Sequence, residues 1–312
     1  MAYPGGKNGA GVFQSIINRM PPHQIYIEPF LGGGAILRLK RPALRNIGVD
    51  LDSAALARFR EGAGGIVTSD DEGLDVHQQQ KWRGAPATAV SEDGIRHRQK
   101  CRLDIARSVI ARSSEDRDRP PRLELYEADA LKFLKHFRFT GRELVYCDPP
   151  YLHSTRKRMN LYRFEMSDKQ HCRLLAILKA LPCAVMISGY WSKLYSEQLQ
   201  GWNTATFQTM TRGGTLATEW LWFNFAEPLA LHDYRYLGRN FRERERIKRK
   251  TLRWKNRLAR MPLLEKRAIL AALELASPEA PRAAALASSE DAAGFMRLEP
   301  AAELPSPRPL RF

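Results

Sequence analysis

The sequence lacks the patterns that membrane, zinc and nucleotide-hydrolysing proteins require. Its 312 residues contain no apolar run of about 18 residues, so no membrane span is expected. The first residues, MAYPGGKNGAGVF, lack the basic-then-apolar pattern of a signal peptide. The four cysteines show no CxxC pairing and no zinc-type histidine pattern, which favours free cytoplasmic thiols and no metal. The absence of GxxxxGK[ST] argues against a P-loop enzyme, and no convincing PD-(D/E)xK-like pattern indicates an endonuclease.

Negative charge is also scarce. The chain has 50 Lys and Arg against 34 Asp and Glu, a formal net charge of +16. This excess predicts a polyanionic partner, most often nucleic acid, without distinguishing DNA from RNA. Between residues 235 and 260 there are 12 Lys or Arg against two Glu, so much of the excess lies near the carboxyl terminus.

Short apolar segments alternate with predicted helices along most of the chain. The segments are HQIYIEPF, RNIGVD, RLELYEA, RELVYC and CAVMISG. This alternation predicts a parallel, doubly wound sheet. Two later strands, TATFQTMTR and TEWLWFNF, have glycines and no helix between them, which predicts an antiparallel hairpin.

Two regions depart from this plan. The polar stretch 61–121, with a candidate basic helix over 95–113, is interpreted as an insertion. After Arg235 a cationic helix is predicted, and Pro262 suits the first turn of a second helix. The apolar stripe of the first helix consists of Ile247, Trp254, Leu258 and Met261. From Ser277 onward Ala, Pro, Ser and Glu dominate, which favours disorder.

Four acidic residues are predicted at the carboxyl ends of strands: Glu28, Asp50, Asp129 and Asp148. Ligands of open parallel sheets bind at that edge. Each acid alone could be a helix cap, but the set favours a binding site.

Asp148 opens the segment DPPY. Two prolines end the strand, remove two backbone donors and hold the loop rigid. The loop therefore carries one carboxylate, bare carbonyl oxygens and one aromatic ring, which suits a flat substrate with an amino group. A simple strand stop is the alternative.

Glycine turns accompany these acids. The segment GGGAI, residues 32–36, allows a ligand to approach the backbone before a helix. Asp50 follows about 20 residues after the turn begins, a spacing that fits hydrogen bonding to ribose hydroxyls. Together they suggest an adenosine-containing cofactor. A second turn, YPGGK, places Lys7 where it could pair with a carboxylate.

The segments YPGGK, IEPFLGGGAI, VDLDSAAL, YEADALKFL, YCDPPY and TEWLWFN resemble, in order and separation, the motifs of Dam-type DNA adenine-N6 methyltransferases (D12 class, alpha group). The likeness is strongest to phage and prophage members and covers roughly residues 3–50 and 123–226. It implies an α/β fold with a Rossmann-like class I methyltransferase sheet, mostly parallel with a C-terminal antiparallel hairpin. It also implies site-specific methylation of a flipped adenine in double-stranded DNA.

The same resemblance implies S-adenosyl-L-methionine as the cofactor. Its implied binding residues are Tyr3, Lys7, Glu28, Pro29, Phe30, Gly32, Gly34, Asp50, Asp129 and Asp148. Tyr3 is expected against the cofactor's adenine, Asp50 on the ribose and Asp129 at the adenine amino group. The implied catalytic residues, which hold the target adenine, are Asp148, Pro149, Pro150 and Tyr151. Asp148 and the Pro149 carbonyl would accept the amino protons, and the Tyr151 ring would stack on the base.

The expected domain organisation follows from these segments. Residues 1–60 and 122–234 form the methyltransferase domain, and 61–121 form an inserted target-recognition region. Residues 235–276 form a basic helical extension, followed by a disordered tail over 277–312. The candidate DNA contacts are Arg96, Arg98, Lys100, Arg244, Lys248, Arg249, Lys250 and Arg253. The recognition hairpin of the GATC-reading members is not identifiable in the insertion, so no target sequence is predicted.

Other activities stay open on these residues. An RNA adenine or protein-amide N-methyltransferase could use the same four-residue loop, and an inactive DNA-binding relative would keep the fold. We further expect a cytoplasmic monomer that acts on DNA, with a cognate restriction endonuclease as a possible partner.

Overall fold

A mixed β-sheet forms the centre of the chain in the computed structural model, which describes residues 6–63, 75–76, 80–81, 120–156, 162–210 and 214–276. Its strands are β1 Ile25–Glu28, β2 Arg45–Asp50, β3 Asp75–Val76, β4 Gln80–Lys81, β5 Arg122–Glu127, β6 Glu143–Cys147, β7 Ala184–Gly189, β8 Asn203–Met210 and β9 Leu216–Phe223. The strand order is β3-β5-β2-β1-β6-β7-β9-β8, and β4 also pairs with β5.

The pairing confirms the predicted Rossmann-like fold class. Neighbouring strands from β5 to β7 are all parallel, whereas β9 is antiparallel to both β7 and β8. Strands β6 and β7 are buried at every position, as expected for parallel strands covered on both faces. The short strands β3 and β4, which lie in the predicted insertion, extend the sheet edge along β5 and were not predicted.

Eight α-helices and one short 3-10 helix, His153–Thr155, occur in the described ranges. The α-helices are α1 Val12–Ile17, α2 Ala35–Leu39, α3 Ser53–Ala63, α4 Ala130–His136, α5 Asp168–Ala180, α6 Lys193–Gln198, α7 Phe241–Arg260 and α8 Leu263–Ala276. Side-chain caps begin two of these helices: Asp52 accepts from Ala54 N at 3.1 Å before α3, and Ser167 accepts from Gln170 N at 3.4 Å before α5. Helix α1, which the alternation did not predict, begins after Gly11 in the left-handed conformation.

The core consists of two clusters, one on each face of the sheet. One includes Ile16, Tyr26, Leu56 and Phe223, and the other includes Ile27, Phe133, Leu175 and Trp222. Because β-strand side chains alternate between faces, neighbouring residues of β1 and of β9 enter different clusters. Both faces are therefore apolar, and the ends of the strands remain for polar chemistry.

Contacts divide the chain into two compact units, residues 1–248 and 249–312, with the division inside α7. The predicted domain boundaries stay predictions. Within the described ranges, no helix combines the length and the apolar character needed to cross a membrane. Some predicted features lie outside those ranges: Tyr3, Arg96, Arg98, Lys100, the helix over 95–113 and the tail from residue 277.

Candidate active site

The predicted acids meet at the carboxyl edge of four adjacent strands. Glu28 ends β1, Asp50 ends β2, and Asp148 directly follows β6. Asp129 lies two residues beyond β5. Since β5, β2, β1 and β6 are consecutive and parallel, the fold brings these side chains to one edge.

Asp148 is held at one carboxylate oxygen. Lys7 Nζ donates to Asp148 Oδ1 at 2.7 Å, and Ser188 Oγ donates to the same oxygen at 2.9 Å. The Ser188 hydroxyl in turn lies 2.9 Å from the hydroxyl of Tyr146. The second glycine turn therefore supplies a lysine that pairs with the DPPY carboxylate, as the sequence suggested.

Lys7 has two further acceptors. Its ammonium lies 2.8 Å from Glu219 Oε1 and donates to the Tyr151 hydroxyl at 2.9 Å. The Tyr151 hydroxyl donates to Glu219 Oε1 at 2.5 Å. Lys7 and Glu219 are only 3% and 2% exposed, so this is a buried ionic cluster rather than a surface ion pair.

Sequence reasoning missed Glu219, although β9 contains a signal for it. Glu219, Leu221 and Phe223 alternate onto one face of the strand, and all three are buried. An acid at a core-facing position needs a charged or hydrogen-bonding partner, because an unpaired buried carboxylate is costly. The strand pattern could therefore have predicted that Glu219 has a cation as its partner, but not that the cation is Lys7.

The cluster shifts the ionisation of its members. Burial raises the pKa of Asp148 to about 6, while Lys7 opposes the rise and Glu219 adds to it. Burial alone would lower the pKa of Lys7, but the carboxylates of Asp148 and Glu219 outweigh it and raise that pKa well above its ordinary value. Lys7 is therefore a permanent cation, and Asp148 titrates close to neutral pH.

Two acceptors of the DPPY loop remain available. Among the described residues, no group donates a hydrogen bond to Asp148 Oδ2 or to the Pro149 carbonyl oxygen. The Asp148 side chain is 19% exposed, whereas Lys7 behind it is 4% exposed. The Asp148 carboxylate is therefore partly exposed, whereas Pro149 beside it is buried. Pro150, which follows, is half-buried.

The Tyr151 ring is more enclosed than a stacking surface needs to be. It is 7% exposed, with its centroid 4.6 Å from that of Tyr190 and 6.3 Å from that of Tyr162. Its hydroxyl is the part that contacts the charged cluster. Stacking of a base on Tyr151 stays a prediction, and it requires one of these neighbouring rings to move.

The glycine turn is tied to Asp50. Gly32 N donates to Asp50 Oδ2 at 2.7 Å, and Asp52 N donates to Asp50 Oδ1 at 2.8 Å. Gly32 and Gly34 have φ values of 48° and 60°, a region that disfavours side chains. A Cβ on Gly34 would also overlap the Phe59 ring. Burial raises the pKa of Asp50, and the backbone donors oppose this rise.

Glu28 is less accessible than its predicted role suggests. Its Oε2 accepts from Tyr26 OH at 3.0 Å and from Leu37 N at 3.1 Å, and the residue is 3% exposed. Burial raises the pKa of Glu28 to about 8, so its carboxyl group is largely protonated at neutral pH. In this structure Glu28 anchors α2 to β1. Its contact with a cofactor stays a prediction.

The remaining cofactor candidates lie near the same edge. Asp129 is the N-cap of α4 and accepts from Lys132 N at 2.8 Å, so both the cap and the strand-end interpretations apply to it. Pro29 is buried and Phe30 is half-buried beside the second core cluster. Their binding roles stay predictions.

The described cations among the predicted DNA contacts all lie on α7. Lys248, Arg249, Lys250 and Arg253 are exposed, and Arg244 is half-buried. Helix α7 has no buried residue, and Trp254 on its predicted apolar stripe is 48% exposed.

Comparisons with known proteins give distant similarities only. No family model and no curated protein matches the sequence. An rRNA methylase from Streptococcus thermophilus is 11% identical over 69% of this chain and 93% of its own, with a TM-score of 0.35. The 23S rRNA methyltransferase ErmE is 12% identical over 73% and 72%, with a TM-score of 0.36. A Streptococcus mutans protein in complex with SAH is 9% identical over 69% and 95%, with a TM-score of 0.35. At such TM-scores the activities of these proteins are not transferred to this chain.

Proposed function

We propose that the chain is an S-adenosylmethionine-dependent DNA methyltransferase that modifies the N6 amino group of adenine. The observation that carries this proposal is the presentation of Asp148. One of its oxygens accepts from Lys7 and Ser188, and among the described residues no donor contacts the other oxygen of this 19% exposed side chain. Asp148 Oδ2 and the Pro149 carbonyl, which have no donor in the part of the chain that the structure describes, suit a planar group that brings two N–H bonds.

The residues at the strand ends fit the cofactor. S-adenosylmethionine supplies an electrophilic methyl group on a cationic sulfur when it is bound. The turn at Gly32 and Gly34 admits a close approach of the ligand to the backbone, and Asp50 orders that turn while retaining lone pairs for ribose hydroxyls. The buried cluster carries two carboxylates and one ammonium, and its excess negative charge suits a cationic ligand.

The DPPY loop then activates the acceptor nitrogen. The adenine amino lone pair is delocalised into the ring, so the nitrogen must become more tetrahedral before it can attack. Asp148 Oδ2 and the Pro149 carbonyl each accept one amino N–H and orient the lone pair away from the ring plane. As the nitrogen took the methyl group, the methyl–sulfur bond would break and the cofactor would leave as a neutral thioether. The nearby carboxylate would stabilise the positive charge on nitrogen, and one amino proton would then pass to water. Lys7 holds Asp148 in position throughout.

DNA binding is proposed from the positive charge of α7 and from the position of the target adenine inside the DNA duplex. An adenine amino group is paired and stacked in duplex DNA, so the base must leave the helix to reach Asp148. The exposed cations on α7 are suited to phosphate contacts, which give affinity without sequence information. Base recognition is assigned to the insertion, residues 61–121.

The proposal is tested with purified protein and S-adenosylmethionine that carries an isotope in its methyl group. Unmethylated plasmid DNA, total RNA and a protein extract are offered separately, and the digested products are analysed by mass spectrometry. Labelled N6-methyldeoxyadenosine supports the proposal. Label only in RNA or protein overturns the substrate, and no label in any product from folded protein overturns the activity.

A further inference from the structure

Glu219 lies in the buried cluster but outside the DPPY loop. Its Oε1 receives both the Lys7 ammonium at 2.8 Å and the Tyr151 hydroxyl at 2.5 Å. It is 2% exposed and belongs to β9, the strand antiparallel to β7. A neutral residue at this position would leave Lys7 and Asp148 as a balanced ion pair. The second carboxylate is therefore not needed to neutralise Lys7.

A second buried acid has an electrostatic cost that packing alone does not explain. Like charges that share one cation repel each other, and burial weakens the screening between them. Among the described residues no second cation pairs with Asp148 or Glu219, so the cluster formed by these two acids and Lys7 keeps one uncompensated negative charge. The excess charge is therefore next to Asp148 Oδ2, the carboxylate oxygen that Lys7 and Ser188 do not contact. A cationic group of a ligand would be stabilised there.

We propose that Glu219 is a positioning residue that supplies this uncompensated charge, so that the site prefers a cationic sulfonium to a neutral thioether. The inference rests on the proposed function, because it assumes that S-adenosylmethionine binds at this edge. Glu219 acts through Lys7, which it prevents from fully neutralising Asp148. It also accepts a hydrogen bond from the Tyr151 hydroxyl, whose oxygen accepts one from Lys7.

Calorimetry with two ligands of similar shape but different charge tests whether Glu219 acts through its charge. S-adenosylmethionine and its product S-adenosylhomocysteine differ at the sulfur, which is cationic in the first and neutral in the second. In Glu219→Gln, which keeps the size and one acceptor oxygen, we expect S-adenosylmethionine to bind about fivefold more weakly relative to S-adenosylhomocysteine than in the native protein. Glu219→Asp keeps the charge and is expected to retain the native ratio of the two dissociation constants.

Two further variants act as controls. Glu143 is also a buried strand glutamate, 1% exposed, but it begins β6 at the opposite end from Asp148 and accepts from Thr140 and Gly141. Glu143→Gln is expected to leave the ratio unchanged. Tyr151→Phe removes a hydrogen bond to Glu219 without removing charge, and it is also expected to retain the native ratio.

The outcomes distinguish the two proposals. If the native protein binds neither ligand, the proposed function fails. If the native protein binds both ligands and Glu219→Gln changes the two affinities by the same factor, or changes neither, the charge role of Glu219 is wrong. The proposed function stands in that case. Tyr151→Phe removes no charge, so a weaker preference for S-adenosylmethionine over S-adenosylhomocysteine in this variant would also contradict the charge role. This result can be obtained even if Glu219→Gln does not fold.

Discussion

Lys7 Nζ donates to Asp148 Oδ1 at 2.7 Å although the two residues are 141 positions apart in the sequence. The contact joins Lys7, which ends the YPGGK segment, to the loop after β6. It is buried and backed by Glu219, so the position of Asp148 depends on the amino-terminal segment as well as on its own strand. Lys7 and the DPPY loop therefore belong to one site.

Asp148→Ala tests the role of the presented carboxylate. We expect S-adenosylmethionine to bind about fivefold more weakly, because the cluster loses one negative charge. The single-turnover rate of methyl transfer at saturating cofactor should fall by roughly 10³-fold, because a preorganised acceptor at the reacting nitrogen is lost. Rapid-quench measurements give the rate, and calorimetry gives the affinity. Asp168→Ala removes an exposed acid in the first turn of α5 and should leave both unchanged. A normal rate in Asp148→Ala would refute the assignment.

The rate should depend on pH through the ionisation of Asp148. Burial raises the pKa of Asp148 to about 6, and only the ionised carboxylate is an acceptor at both oxygens. Methyl transfer should therefore fall as the pH decreases through about 6 and level off above that value. In Glu219→Gln the acidic limb should move to lower pH, since Glu219 contributes to raising that pKa. The profile is measured as kcat/KM, and an acidic limb that stays in place in this variant would contradict the coupling.

Asp50→Ala tests the glycine turn and the ribose contact together. The substitution removes the acceptor of both Gly32 N and Asp52 N, so we expect cofactor affinity to fall at least about tenfold. Asp50→Asn keeps one carbonyl acceptor and should have a smaller effect. Isothermal titration calorimetry provides the measurement. Unchanged affinity in Asp50→Ala would exclude a ribose role for this residue.

The raised pKa of Glu28 should affect the stability of the protein rather than its activity. Its pKa rises from an ordinary value near 4.5 to about 8 in the folded protein. Between these values the unfolded chain loses a proton that the folded chain keeps, so the free energy of unfolding decreases as the pH rises. Glu28→Gln removes this titrating group and therefore its contribution to the pH dependence of the free energy of unfolding. We expect the native protein to lose about 1–3 kcal/mol more than the variant between about pH 5 and 8, measured by urea unfolding. Equal losses would contradict the protonated state.

The α7 cations are tested by replacing Lys248, Arg249, Lys250 and Arg253 with glutamine. We expect weaker DNA binding and a slope of log K against log salt concentration that is smaller in magnitude by about 3.6 if all four cations contact phosphates, because each contact contributes about 0.9. The methylated sequence should not change. As a control, the same replacement at Lys132, Lys135, Arg138 and Arg142, which are exposed elsewhere in the chain, should affect binding less. A changed recognition sequence in the α7 variant would show that the helix reads bases.

Local patterns predicted the elements of this fold better than the contacts of its site. The parallel sheet and its antiparallel hairpin followed from the spacing of strands and helices, and the acids at the strand ends met as expected. The role of Glu28 as an anchor for α2 was not visible, since it depends on the Tyr26 hydroxyl and on a backbone group nine residues away. The enclosure of Tyr151 by Tyr162 and Tyr190 also depends on long-range packing. Glu219 was overlooked because its partner, Lys7, belongs to the other end of the sequence.

Expression in a host without adenine methylation, followed by long-read sequencing for modified adenines, tests the central claim most directly. The Asp148→Ala variant, expressed at the same level, provides the control. The account predicts N6-methyladenine at a defined sequence in DNA from cells with the native protein, and none with the variant. Unmodified DNA despite folded native protein, or equal modification with the variant, would contradict it.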